Sequence, residues 1–376
     1  MFSVRRVIAV ATAVACHCAA VAGTPTFDVR AGAYNIRCET TNDTGDKSWS
    51  SRKGNLVSLV KKIGFDVVGF QEVKESQKTY LADNLSGYTF ASGKISGSSE
   101  YVSVAYKTDR FDRLDGNTFW LSDTPSKQSK FSDSQYYRIC TWLLLQDKAT
   151  MGKLVFAATH LDLVQSVRAK QMAVIMDFLK PYIKDGVSVI VVGDMNCYET
   201  EDTASVATRV LRDAAIEAES VSGPWRTYDA WTYKDPSTEP TTEYALTLPV
   251  SKRNPLDGGR RIDFIYVSDS ARVKAYVVRN DTQPGINVYP SDHYPVYADL
   301  ALTLGKFAVK GRFTVKVSAE CPFVASGRRF VLTRGAELDG IEDIDFDLPK
   351  WVLCAAVEDG EIVIYTRPRP LFIHVR

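Results

Sequence analysis

Along this 376-residue chain, apolar positions recur with a period of two in some stretches and of three to four in others. From Phe27, "FDVRAGAYNI" reads as a strand, and "RKGNLVSLVKKIG" reads as a helix with Leu56, Leu59 and Val60 on one face. "DVVGFQEV", "YVSVAYK" and "RICTWLLLQ" are further strands, while "KLVFAATHLD" and "VSVIVVGDMN" are apolar enough to be buried on both faces. Between those two lies a second long helix, "VQSVRAKQMAVIMDFLKPYI", and a shorter one follows near "TASVATRVLRDAA". Residues 220–261 are rich in Pro, Gly, Thr, Trp and Tyr and predict a surface excursion beside the strand ends. Strands resume at "RIDFIYVS", "RVKAYVVRN" and "YPVYADLAL". The mixture predicts an α/β fold whose sheets hold both parallel and antiparallel neighbours. Past Leu304 helical periodicity stops, so residues 306–376 read as a small all-β appendage without a motif.

Composition adds that the chain is globular: 45% of residues are hydrophobic and 24% charged. At the start, Arg5 and Arg6 precede an apolar run and the small-residue triplet Ala20-Val21-Ala22, the order of a cleaved secretory signal over residues 1–22. The expected location is secreted or periplasmic. A lipid anchor on Cys16 is the alternative, against which Ala13 stands where a leucine is expected. Cleavage removes Arg5 and Arg6 and no acid, taking the formal charge from +1 to −1. Broad electrostatic capture of nucleic acid is therefore not expected, although a local basic cleft is compatible with that total. Cys38, Cys140, Cys197, Cys321 and Cys354 remain, an odd and scattered set in which only Cys321 with Cys354 suggests a bridge.

Chemistry-bearing residues collect where strands end. Glu72 closes "DVVGFQEV", Asn35 closes "RAGAYNI", and Asp194 and Asn196 stand two apart in "VVGDMN", on one side of an extended chain. Taken singly, each also reads as a cap or a loop start. His160 ends an apolar strand, where a lone histidine is structural more often than catalytic. Asp263 lies inside an apolar strand and needs a cation, which either the adjacent Arg260 and Arg261 or a distant His293 supplies. In "YPSDHYPV", Asp292 and His293 stand side by side between two prolines.

In order, "YNIR", "FQEV", "ATHLD", "GDMN", "RIDFIYVS" and "SDHYPV" resemble the endonuclease/exonuclease/phosphatase superfamily over about residues 27–303. The "GNTFWLSDTP" and "RICTW" segments resemble its secreted bacterial members. The resemblance implies a DNase I-like four-layer sandwich: two packed mixed β-sheets flanked by helices. It also implies Mg²⁺, with Mn²⁺ as a second choice, bound by Glu72 with Asn35, and Asp292 as a ligand on the water-rich side. Asp194 would orient or deprotonate the attacking water, Asn196 would fix the phosphate, and His293 paired with Asp263 would contact a non-bridging oxygen. His160 matches the DNase I and sphingomyelinase branch, and Glu100 is its implied partner.

Three departures bear on substrate. The near-neutral charge gives little sign of the basic loops of abasic-site enzymes. "GDMNCYET" lacks the aromatic and arginine of inositol polyphosphate 5-phosphatases. Trp225 and Trp231 are candidates for the apolar hairpin of sphingomyelinases and equally for the core. The reading is an exported, Mg²⁺-dependent phosphoester hydrolase using in-line attack by water; the alternative is a non-catalytic binding protein on the same scaffold, with the C-terminal β module as its binding element. Its substrate would be a nucleic acid, a phospholipid head group or an inositol phosphate, and the protein is expected to be a monomer without a stable protein partner.

Overall fold

The computed structural model describes residues 26–95, 100–231, 238–254, 256, 259–285 and 288–304, together with three strands beyond them. The signal segment and Cys321 lie outside the described residues, as does the side chain of Cys354. Cys38, Cys140 and Cys197 are free thiols. Contacts divide the chain into two units, one formed by Asp28–Gln146 with Lys153–Leu302 and a smaller one carrying the residues from Thr303 onward.

The strands in chain order are β1 (Thr26–Asn35), β2 (Val67–Lys74), β3 (Tyr88–Ile95), β4 (Glu100–Lys107), β5 (Phe111–Trp120), β6 (Ile139–Asp147), β7 (Lys153–His160) and β8 (Ser188–Asp194). They continue as β9 (Arg212–Asp213), β10 (Val221–Ser222), β11 (Asp263–Val267), β12 (Arg272–Val278) and β13 (Val296–Thr303). Seven strands form one sheet in the order β10-β12-β13-β1-β2-β4-β3, and six form a second in the order β5-β6-β7-β8-β11-β9. Both sheets are mixed: β1 runs parallel to β2 and β7 parallel to β8, while β2 with β4 and β8 with β11 are antiparallel. In the smaller unit, β14 (Arg328–Val331), β15 (Val352–Glu358) and β16 (Glu361–Thr366) make an antiparallel sheet ordered β14-β16-β15.

Two helices cover the outer faces. Helix α1 (Trp49–Ile63) lays Leu56, Leu59, Val60 and Ile63 on Tyr34, Val68 and Phe70 of the seven-stranded sheet. Burial of such side chains is worth roughly 1.5–3 kcal/mol each, which outweighs the ~1 kcal/mol cost of Gly54 within the helix. Gly64, at φ 69°, ends the helix in the left-handed conformation that only glycine adopts without strain. A polar helix, α2 (Glu75–Asn84), follows β2. Helix α3 (Gln165–Lys184) buries Met172, Ile175, Met176 and Leu179 against Val155, Ala157, Val189 and Val191 of the other sheet.

The opposite faces of β7 and β8 turn inward to the first sheet. A Cβ added at Gly69 would lie 2.6 Å from the Ala158 Cβ and 2.9 Å from a Val192 methyl, so the sheets meet closely there and only hydrogen fits. Double-sided burial explains why these two strands are continuously apolar instead of alternating. Among the described residues, no helix is long and apolar enough to cross a membrane.

Candidate active site

The central strands of both sheets end at one place. In the six-stranded sheet, His160 of β7, Asp194 of β8 and Asp263 of β11 occupy a single rung, His160 paired with Asp194 and Asp194 with Asp263. In the facing sheet, Asn35 and Gln71 form the last rung between β1 and β2. Glu72 comes next, at φ 60°, where the pairing of β2 with β4 slips between Phe70 and Val73.

A left-handed backbone costs a residue other than glycine about 1–3 kcal/mol. At Glu72 the cost is offset by two hydrogen bonds to its carboxylate, from Asn35 Nδ2 (3.0 Å) and the Cys38 N–H (3.0 Å). Hydrogen bonds to a charged group contribute about 1.5–3 kcal/mol each. Asn35 Nδ2 also donates to Asp194 Oδ2 at 3.1 Å, so one amide ties the two sheets together. Asn35 Oδ1 accepts the Arg37 N–H at 3.0 Å.

Asn196 sits at φ 48°, and its N–H donates to Asp194 Oδ1 (2.9 Å) while its side chain donates to the Leu161 carbonyl (3.0 Å). The Asp-Met-Asn stretch is thus a loop-starting turn and part of the site at once.

His293 answers the question posed by the buried carboxylate of Asp263. Its Nδ1 lies 2.8 Å from Asp263 Oδ2, and its Nε2 lies 3.6 Å from Asp194 Oδ2. The nearby arginine is engaged elsewhere: Arg261 pairs with Asp213 at 2.6 Å and with Glu199 at 3.5 Å. Asp292, adjacent to His293, points instead towards Arg37, whose Nη1 is 3.7 Å away. Ser291 donates to the Asn35 carbonyl at 2.7 Å and joins the loop to the end of β1.

Glu72, His160, Asp194, Asn196, Asp292 and His293 all face one cavity of about 620 Å³. Asn35 and Asp263 lie beneath it, holding the groups that do. Glu100 faces the same cavity, where it pairs with Lys74 at 3.4 Å.

The electrostatics divide these groups by role. Burial lowers the His293 imidazole, but Asp263 and Asp194 overcome this and raise it to about 10, so it is a cation at neutral pH. Burial, aided by Arg138, drives His160 well below the usual histidine range and leaves it neutral. Burial raises Asp194 to about 7, His293 pulling it down and Asp263 pushing it up. For Glu72, burial acts upward but is outweighed by the hydrogen bonds from the Asn35 amide and the Cys38 N–H and by the charge of His293, which hold it below the usual carboxylate range. Asp292 is raised, chiefly by burial.

The His293 shift makes a stability prediction for chelator-treated protein. Because the folded-state value exceeds the ordinary 6.5, the pair's contribution is whole below that pH and is lost as pH rises towards 10. Urea melts at a series of pH values should show wild type losing up to ~1.4 kcal/mol per pH unit within that window relative to His293→Asn. Parallel pH profiles for the two proteins would refute the pairing.

Several residues at the site were not read from the sequence. Arg138 is 6% exposed, faces the cavity, and has no ion-pair partner within 4 Å among the described residues; its Nε is also without a hydrogen bond. A buried guanidinium so placed is a ready anion site. Its only visible signal was the "R" opening "RICTW". Tyr228, from the excursion, bridges to both Arg260 and His293, its ring 4.8 Å from the imidazole. Trp225, considered for a surface hairpin, is instead buried at 1% exposure against Arg261.

Among the described residues, two groups of metal-ligating side chains have donor atoms within 4.8 Å of one another: Glu72, His160 and Asp194, and Asp194, Asp263 and His293. The second group already carries its own cation in His293. Asp292, expected as a ligand, is in neither group, although it faces the same cavity as Glu72 and Asp194, whose carboxylates are oxygen donors suited to a hard divalent ion, and repulsion from Glu72 adds to its rise. Asn35 joins such a set only by presenting its oxygen in place of the amide nitrogen that now faces Glu72 and Asp194.

Paired mixed sheets with helices outside and a carboxylate-histidine centre at their shared strand ends define a DNase I-like sandwich. The chain belongs to the Endonuclease/Exonuclease/phosphatase family, whose model matches residues 32–293. Among solved structures it is similar to an endonuclease/exonuclease/phosphatase from Bacteroides vulgatus, at 27% identity over 73% of this chain and 99% of that one, TM-score 0.63. It is also similar to a mannosyl-6-phosphatase of Bacteroides thetaiotaomicron, at 25% identity over 72% and 99%, TM-score 0.63. A D. rerio TDP2 complexed with single-strand DNA product shares the fold at 18% identity over 73% and 98%, TM-score 0.53. No curated protein sequence matches the chain.

Proposed function

We propose that this protein is an exported, Mg²⁺-dependent phosphoester hydrolase that works by in-line attack of water. The observation that carries the reading is the His293–Asp263 pair, a buried imidazolium whose second nitrogen faces Asp194 at 3.6 Å. The family and the phosphatase among the similar structures support the hydrolase class.

The site supplies the parts for one displacement. Asp194, raised to about 7, takes a proton from water as the water oxygen bonds to phosphorus and the bond to the leaving oxygen breaks. His293, charged and fixed by Asp263, stabilises a non-bridging oxygen as negative charge builds on it. Arg138 holds another phosphate oxygen, Asn196 steadies the phosphate, and neutral His160 donates a hydrogen bond. Glu72, Asn35 and Asp292 would hold the Mg²⁺, which when bound neutralises phosphate charge and assists the leaving oxygen.

Purified protein should release alcohol from a panel of phosphomonoesters and phosphodiesters with Mg²⁺ or Mn²⁺ and lose at least 100-fold in rate with excess EDTA, a magnitude on the order of that for one electrostatic stabiliser. Equal rates with and without chelator would remove the metal from the proposal. Export rests on the leader at residues 1–22, and intact-mass measurement of the protein outside the cytoplasm should find that segment absent.

A further inference from the structure

One wall of the cavity has features that phosphate chemistry does not use. Tyr136 and Tyr137, between β5 and β6, are 44% and 37% exposed, and Leu163, just past β7, is 52% exposed. All three line the cavity. Large apolar side chains on a loose loop would carry no message, but this segment is held firmly. The Tyr136 N–H donates to Asp162 Oδ2 at 2.9 Å, and the Asp162 Oδ1 accepts the Val164 N–H at 3.0 Å. Asp162 itself is fully buried. The Tyr136 ring lies 5.2 Å from the Arg138 guanidinium and its hydroxyl accepts from Gln135 Nε2 at 3.0 Å, while Tyr137 packs edge-on to Trp120 at 5.9 Å. One buried carboxylate therefore fixes both the tyrosine segment and the loop of Leu163, presenting a preformed apolar face beside the phosphate groups.

Resting on the hydrolase reading, we infer that the substrate is a compact phosphomonoester of a sugar-sized ring, with the ring lying on Tyr136 and Leu163. A volume of about 620 Å³ accommodates one phosphate and a ring or two, within the usual range for small-molecule sites. A flat aromatic face is electron-rich and attracts the slightly positive C–H groups on the apolar side of a sugar ring. Around that face, Gln135, Lys130 and Glu100 offer donors and acceptors for ring hydroxyls. The formal charge, −1 once residues 1–22 are removed, supplies no electrostatic footprint for a nucleic-acid strand. In the reaction, water bonds to phosphorus, the bond from phosphorus to the sugar oxygen breaks, and that oxygen takes a proton. The products are the free sugar and inorganic phosphate.

Phosphate release with Mg²⁺ should be compared for hexose 6-phosphates and glycerol 3-phosphate, alongside strand cleavage of a single-stranded oligonucleotide. The best hexose phosphate should exceed glycerol 3-phosphate by about ten-fold in kcat/KM, the worth of roughly one well-made ring contact. Tyr136→Ala should collapse that preference through KM, and Tyr136→Phe should keep most of it. Preferred cleavage of the oligonucleotide would overturn the sugar assignment while leaving the hydrolase standing. So would equal turnover of hexose and glycerol phosphates, or a preference that survives in Tyr136→Ala. Inactivity towards every phosphoester would overturn both.

Discussion

His293→Ala should lower kcat by about 10³-fold or more while the protein stays folded, since in the proposed mechanism the lost group is a preorganised cation aimed where phosphate charge develops. Among the described residues, the variant removes the only hydrogen-bond partner of the Asp263 carboxylate, so a buried acid is left uncompensated at 0% exposure. Some loss of stability will follow, and His293→Gln, which retains a donor, separates the two effects: its fold should recover and its rate should not. Phosphate release and circular dichroism on the same samples measure both. A His293→Ala protein with wild-type turnover would mean that the pair is only structural, and full retention of some binding activity would favour a non-catalytic scaffold.

The second large effect is expected at Asp194. Asp194→Asn removes the proposed base and should cost on the order of 10³-fold in kcat, within the range of general-base catalysis. Stability should move the other way. Since the folded protein raises this carboxyl from 3.8 to about 7, the contribution of the protonated form is full below the lower value and lost as pH rises through the upper one. Above pH 7 the ionised, buried acid is a net cost, and an amide relieves it. In chelator at about pH 8 the variant should therefore melt higher than wild type, with the gap closing below about pH 4. A lower melting temperature at pH 8 would show that the hydrogen bonds from Asn35 and Asn196 outweigh the desolvation of the charge.

Strand ends were the part of this site that a linear reading could find. Asn35, Glu72, His160 and Asp194 each break an apolar run, and a polar residue closing a buried strand is conspicuous in one dimension. The partnership of Asp263 with His293 was one of two alternatives until the third dimension placed Arg261 against Asp213. What escaped notice lies on elements with weak patterns. Strand β5 exposes most of its length and α2 buries only Gln77 and Leu81, so neither carries the apolar periodicity that marks an element. Arg138 and Tyr228 look like ordinary surface residues because nothing local reveals that a guanidinium is buried or that a loop tyrosine meets His293. The left-handed turn at Glu72 comes from a slip in pairing with β4, a long-range event without a local sequence mark.

Ser291 bonded to the end of β1 has a consequence for how the protein is made. The chain lays down Asn35 and Glu72 early, yet the residues that complete the candidate centre, Asp263, Asp292 and His293, arrive 191 or more positions after Glu72. A nascent chain therefore lacks the complete candidate centre until nearly the whole sandwich has been synthesised. Interrupted translation should yield inert fragments, and the proposed hydrolysis begins only when β13 closes against β1.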